Sequence, residues 1–184
     1  WLLRIGLTSS LFSVSMKISK KFRLFFPKFL KNKIPKNPPV LIKSKTNTKL
    51  IHKSNIIKTK VLFLGGCVQQ SMLPNINASA LKLLRDCDFD CIVAPKTCCG
   101  AIKAHLDDKK GSIEEVKKNI DSWWSYIKFD NIKYIIANAS ACSYEIKKYH
   151  ELFSKDSPYY FKAKKIVSLA VDLSEILPEL LSGL

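Results

Sequence analysis

The sequence predicts an α/β domain: a small parallel three-layer (Rossmann-like) sheet with flanking helices, preceded by a basic helical arm and a linker. Two observations carry this. Short β-branched, apolar runs at residues 61–64, 91–93 and 134–136 are each followed by residues with helical periodicity, which makes three strand-to-helix units in series. Such units build a parallel sheet, and in an open parallel sheet the loops after the strands gather along one edge, where ligands bind. Just past the three runs stand Cys67, the adjacent pair Cys98 and Cys99 followed by Gly100, and Cys142. Cysteines far apart in the chain are therefore expected to meet in space.

Taken in order, residues 2–32 read as one or two helices in which Leu and Phe interleave with lysine, and Phe22, Phe25, Phe26 and Phe29 share a broad face. Such a face most often packs on protein; the alternative is a helix lying on an anionic membrane surface with its lysines at the headgroups. Residues 33–59, with Pro35, Pro38 and Pro39 among lysines and asparagines, read as an extended linker. The compact domain spans 60–184. Its first strand ends at Gly65 and Gly66, ahead of Cys67. Asn75 or Asn77 is the expected cap of the next helix, whose Ala80, Leu81, Leu83 and Leu84 face the sheet. The second strand, 90–94, breaks at Pro95, and Cys98, Cys99 and Gly100 open a short helix through His105. A helix over 113–127 is expected to start at Ser112, with Glu115 three positions later as in a capping box. The third strand, 133–137, leads through Asn138 to Cys142, at the start of a helix reaching about Phe153.

At 184 residues with 47% hydrophobic content, the chain can build one domain with a real core and an appendage. Its charge is unevenly divided. Residues 1–60 hold 15 of the 31 Lys and Arg and no acid, so residues 61–184 set 16 basic against 15 acidic side chains. The formal net charge of +16 thus describes the arm and linker. Only Arg4, Arg23 and Arg85 are arginine. Readers of nucleic acid rely on the planar arginine fork, so no specific nucleic-acid partner is expected. The first residue is Trp1, which suggests a fragment; no apolar stretch reaches the roughly 18 residues of a membrane span. A secretory signal fits poorly, and the acid-free, Ser-containing start fits a transit peptide better.

Six cysteines in a chain without secretion signals point to a reducing compartment and to thiols or metal ligands. Cys87, late in a helix, and Cys91, within a strand, are expected to fill core. Cys67, Cys98, Cys99 and Cys142 lie after strands, where packing gives no reason for cysteine. Thiolate suits iron-sulfur clusters and zinc, and helix starts offer unpaired N–H groups and a positive dipole end. The gaps, 30 residues between Cys67 and Cys98 and 41 between Gly100 and Cys142, are unlike compact ferredoxin or zinc-finger patterns. Assembly must therefore depend on the fold.

The elements Gly66-Cys67-Val68-Gln69, Cys98-Cys99-Gly100-Ala101 with His105, Ala141-Cys142 with Lys147, Lys148 and Tyr149, and Val171-Asp172-Leu173-Ser174-Glu175 resemble the first cysteine-rich (Cys-Cys-Gly) domain of glycolate oxidase iron-sulfur subunits. The wider group includes the cysteine-rich component of heterodisulfide reductase and lactate-utilisation iron-sulfur proteins. The resemblance runs from about Lys60 to Leu177. It implies a non-catalytic electron-transfer subunit with a [4Fe-4S] cluster on Cys67, Cys98, Cys99 and Cys142. It also implies FAD-containing glycolate oxidase subunits as partners and electrons passed towards the quinone pool. The implied location is cytoplasmic, peripheral at the inner face of the membrane. The family pattern adds two ferredoxin-type cysteine runs before this region and a second cysteine-rich domain after it. The wider group often ends its motif in Cys-x-x-Cys, where Ala139 stands here, and Ala141 and Ser143 replace flanking glycines.

Two other classes fit the same residues: a docking module whose cysteines bind zinc or nothing, and a thiol-disulfide sensor pairing Cys67 or Cys142 with the Cys98-Cys99 pair. His105 reads as a surface histidine rather than a ligand. Trp123, Trp124 and Tyr126 read as core and interface residues, and Asp172 and Glu175 as helix-start charges.

Overall fold

The computed structural model describes residues 10–32, 34–35, 58–95 and 98–181. Most of the expected linker, the first residues of the arm and the last three residues lie outside this set. Four parallel strands form one sheet: β1 Thr59–Leu64, β2 Phe89–Val93, β3 Tyr134–Ala137 and β4 Ala170–Asp172, in spatial order β2-β1-β3-β4. The α/β expectation is met, with one strand more than the three read from sequence. β4 was missed because it is only three residues long and sits at the sheet edge, where a long apolar run is not required.

β1 lies inside the sheet, and its residues 61–64 are all buried because both faces are covered. Their side chains alternate as a pleated strand requires. Leu62 and Leu64, with Ile135 and Ala137 of β3, enter one core; Val61 and Phe63, with Ile136, enter the other. The first core is closed by Val116, Ile120 and Trp123 of α6 (Lys109–Phe129) and by Ala163 and Ile166 of α8 (Pro158–Leu169). The second is closed by Ala80 and Leu84 of α4 (Pro74–Asp86) and by Ile176 and Leu180 near the C-terminus. This is a three-layer sandwich. The register pairs Phe63 with Val93, Leu64 with Ala137 and Ala137 with Asp172, so the strands end level and their outgoing loops begin along one edge.

The remaining helices are α1 Ser10–Lys21, α2 Lys28–Lys31, α3 Cys67–Met72, α5 Ala101–His105, α7 Ser140–Ile146 and α9 Leu177–Leu181. Three helix assignments differ from expectation. α6 begins at Lys109, where the Asp108 carboxylate accepts from Gly111 N–H at 3.1 Å; Ser112 is buried one turn inside and donates instead to Gly100 O, while Glu115 pairs with Lys103 at 2.8 Å. α4 starts at Pro74, a residue suited to the first helical turn because its missing N–H would be unpaired there anyway, and Asn77 lies inside the helix. The helix expected from Cys142 to Phe153 ends at Ile146; a turn and a 3-10 segment, Tyr149–Leu152, follow, and Tyr149 enters the core. The charges at Asp172 and Glu175 do belong to a helical start, since Asp172 caps the 3-10 turn Leu173–Ile176 by accepting from Ser174 N–H at 2.9 Å.

α1 packs against α3, and Lys20 Nζ donates to the Ser71 and Met72 carbonyls at 2.9 and 2.6 Å. A lysine on the last carbonyls of a helix satisfies acceptors that have no helical partner. The arm thus rests on the domain it precedes, but the phenylalanine face expected to pack on protein does not: Phe22, Phe25 and Phe29, with Leu11, Val14 and Ile18, remain exposed. Among the described residues no helix is long and apolar enough to cross a membrane.

Replacing the cap, Asp108→Ala, is expected to lower stability by about 1 kcal/mol. Ile120→Ala, which empties part of the first core, is expected to cost about 2–5 kcal/mol. Urea unfolding of both variants checks the ranking; an Asp108→Ala midpoint equal to that of the parent would return the cap to Ser112.

Candidate metal centre

The strand order places a topological switch beside β1: the chain leaves β1 towards β2 on one side and later returns to β3 on the other. Loops leaving β1 and β3 diverge there and open a crevice at the carboxyl edge. Cys67 is the first residue of α3 after β1, Cys98 and Cys99 follow β2, and Cys142 lies in the first turn of α7 after β3. Their sulfurs meet. Cys67 Sγ lies 3.5 Å from Cys98 Sγ, and Cys99 Sγ lies 3.2 Å from Cys142 Sγ. All four expected site residues are thus brought together, while Cys87 and Cys91 pack against the opposite core, as their core-filling reading expects. His105, the last residue of α5, is exposed.

The backbone is shaped around these sulfurs. Gly66 and Gly100 adopt φ of +68° and +94°, a region that a side chain makes costly. Gly66 brings the chain against Cys142: a Cβ there would stand 3.9 Å from its sulfur. At Gly100 a Cβ would meet Ser112 Oγ at 2.9 Å. Backbone N–H groups of Val68, Gly100 and Ala101 turn towards the sulfurs of Cys67, Cys98 and Cys99 respectively.

Two buried asparagines secure the loops. Asn77 Nδ2 donates to Gly65 O at 2.7 Å, ahead of Cys67, and its Oδ1 accepts from Asn138 Nδ2 at 3.2 Å, ahead of Cys142. Gln69 and Gln70 complete its shell at 2.7 and 2.8 Å. Asn119 Nδ2 donates to Cys98 O at 2.8 Å and to the Tyr149 hydroxyl at 2.7 Å, and that hydroxyl donates to Cys99 O at 3.0 Å. Trp123 stacks on Tyr149 from behind. The sequence alone assigns no role in the site to Asn77 or Asn119. The available signal was a polar residue on an apolar helix face: Asn77 shares the face of Ala80 and Leu84, and Asn119 that of Val116, Ile120 and Trp123.

The sulfurs divide into two proton-sharing pairs. The hydrogen bond from Cys67 holds the Cys98 thiol down at about 3, assisted by Cys99, the Gly100 N–H and Lys103, against the opposing effect of burial. The same bond, with burial, pushes Cys67 up. Cys142 is lowered by its bond from Cys99, which is itself raised by that bond. Within each pair one thiol is shifted towards the thiolate, the form that binds metal, and the other away from it.

Among the described residues no three His, Cys, Asp or Glu side chains form a group that could hold a metal ion as placed. The Cys67–Cys98 and Cys99–Cys142 sulfur separations of 3.5 and 3.2 Å are shorter than the ~3.8 Å between tetrahedral thiolates that Zn–S bonds of about 2.3 Å imply. The donor chemistry, four converging cysteines with N–H groups turned towards three of them, is that of a thiolate-held metal or cluster.

Residues 61–147 match the family model described as Cysteine-rich domain. The chain is similar to the "Glycolate oxidase iron-sulfur subunit" of Escherichia coli (strain K12), 31% identical over 171 residues, which cover 92% of this chain and 40% of that protein. It is also similar to the "Probable glycolate oxidase iron-sulfur subunit" of Bacillus subtilis (strain 168), 30% identical over 125 residues, 67% of this chain and 27% of that protein. The chain therefore spans less than half the length of either relative. No solved structure matches it.

The sulfur contacts make a chemical prediction. Mild oxidation of the metal-free protein with two equivalents of diamide, each taking two electrons, is expected to form Cys67–Cys98 and Cys99–Cys142 disulfides, read by peptide mapping. Exclusive Cys67–Cys99 linkage would contradict the contacts, and unchanged free-thiol counts would exclude a redox-sensing role.

Proposed function

We propose, from the match of residues 61–147 to the Cysteine-rich domain model, that this chain is part of an iron-sulfur electron-transfer subunit of a glycolate oxidase. One observation carries the reading: cysteines from three strand-end loops converge in sulfur contact at the sheet's switch point. Similarity over 92% of the chain to a named glycolate oxidase iron-sulfur subunit supplies the system. Cys67, Cys98, Cys99 and Cys142 would hold the cluster, and one-electron storage is the chemistry that a [4Fe-4S] group supplies when bound. The chain's own residues do the rest. Cys98 and Cys99 are buried, which keeps water from the sulfurs, and the N–H groups of Val68, Gly100 and Ala101 stabilise negative charge on them.

Oxidation of glycolate would belong to a flavin-bearing partner. The role of this chain is that of a relay. Full-chain protein reconstituted anaerobically with ferrous iron and sulfide is expected to turn brown and to contain iron and sulfide in near-equal amounts. Single Cys→Ser changes at 67, 98, 99 and 142 should each reduce bound iron severalfold, whereas Cys87→Ser and Cys91→Ser should not. A colourless protein with one tightly bound zinc would replace this reading with the docking module.

A narrower proposal concerns location. Leu11, Val14, Ile18, Phe22, Phe25 and Phe29 recur at helical spacing in the sequence and are exposed along α1, the 3-10 turn Arg23–Phe25 and α2, with Phe25 86% accessible. Its neighbours Lys17, Lys21, Arg23, Lys28 and Lys31 are basic, and the segment has no acid. Aromatics flanked by cations suit an anionic lipid surface, where rings enter the headgroup boundary and lysines meet phosphates. The expected result is sedimentation with vesicles containing phosphatidylserine, reversed by high salt and weakened by Phe22→Ser with Phe25→Ser. Equal recovery with neutral and anionic vesicles would remove the electrostatic part of this proposal.

A further inference from the structure

The hydrogen bonds behind the Cys98-Cys99 pair form a directed relay. Asn119 Nδ2 donates to the Tyr149 oxygen at 2.7 Å, which turns the hydroxyl proton towards Cys99 O at 3.0 Å. Cys99 O belongs to the same planar peptide as the Gly100 N–H, and in a trans peptide carbonyl and N–H point in opposite directions. That N–H is turned towards the Cys98 sulfur and helps to hold its thiol down. The second Asn119 proton goes to Cys98 O at 2.8 Å, securing the preceding peptide. Tyr149 and Asn119 are both fully buried, so water does not substitute for either donor.

Hydrogen bonds in series polarise one another, and most strongly where the surroundings are dry. A donor on Cys99 O draws electron density towards the carbonyl and makes the Gly100 N–H a stronger donor to sulfur. It also fixes the plane of that peptide. We infer that Tyr149, oriented by Asn119, is a positioning residue that tunes the Cys98 sulfur, and with it the electron affinity of a cluster held there, through the Cys99–Gly100 peptide. This rests on the iron-sulfur reading only for its redox consequence. N–H donors to ligand sulfur favour the more negative, reduced state, so the relay raises the reduction potential.

Two replacements at position 149 act in opposite senses. Tyr149→Phe removes the donor while leaving the ring on Trp123. Site-specific 3-fluorotyrosine at 149 keeps the shape and strengthens the donor. In the reduced, cluster-free full chain, the Gly100 amide proton is expected to move upfield and exchange faster in Tyr149→Phe, and to move downfield in the fluorinated protein. In the reconstituted chain, the midpoint potential is expected to fall in the first and to rise in the second. General damage to packing would shift both in one direction, so opposite signs identify the relay. An unmoved Gly100 amide in the fluorinated protein overturns the inference, even where Tyr149→Phe fails to fold. Failure of the parent chain to take up iron overturns the proposed cluster instead, and the amide measurement still decides the relay.

Discussion

Parallel pairing on both sides of β1 is the constraint from which the rest of the molecule follows. With β2 on one flank and β3 on the other, three consecutive strands direct their carboxyl ends to one edge, and the register keeps those ends level. Each outgoing loop then carries cysteine into the same small space. Burial on both faces holds β1 in place: the side chains of residues 61–64 contribute to two cores, each worth about 25 cal/mol per Å² of apolar surface removed from water. A slip of one residue would exchange the two faces and move the loop origins together.

Loops that leave a sheet carry backbone groups without ladder partners, and here those groups are met by buried amide and hydroxyl side chains. Asn77 ties the segment before Cys67 to the segment before Cys142; Asn119 and Tyr149 take the carbonyls of Cys98 and Cys99; Ser112 takes that of Gly100. Leaving such a carbonyl buried and unpaired costs about 1–3 kcal/mol. Buried polar residues on helices α4 and α6 thus convert a generic sandwich into a scaffold with a defined sulfur geometry.

Much of this was legible in the chain. Runs of β-branched residues marked three strands, and cysteines placed beyond them without a packing reason marked the site. Opposing residues were harder to read. Ser112 and Glu115 imitate a capping box, yet Asp108 lies one turn earlier and caps instead, because Ser112 is held by Gly100 from another segment. α8 has local signals in the sequence, Ser157 as its cap and Pro158 in its first turn. β4 depends on pairing with β3, an interaction between distant residues that its short sequence does not encode. Asn119 could be identified as polar on an apolar stripe, but its partners, Cys98 O and Tyr149, are known only once the chain is folded.

The dispersal of the four sulfurs over three strand-to-helix units also bears on when the site comes into being. Contacts between Cys99 and Cys142 close a loop of 43 residues, and they require β3 to have inserted beside β1. Closure of such long loops is a late event in folding, favoured only after local helices have formed. A chain arrested before β3 docks would present Cys67, Cys98 and Cys99 without their fourth companion. Four-sulfur convergence is therefore a mark that β3 has docked, and whatever inserts a metal by recognising all four thiols would pass over chains in which it has not.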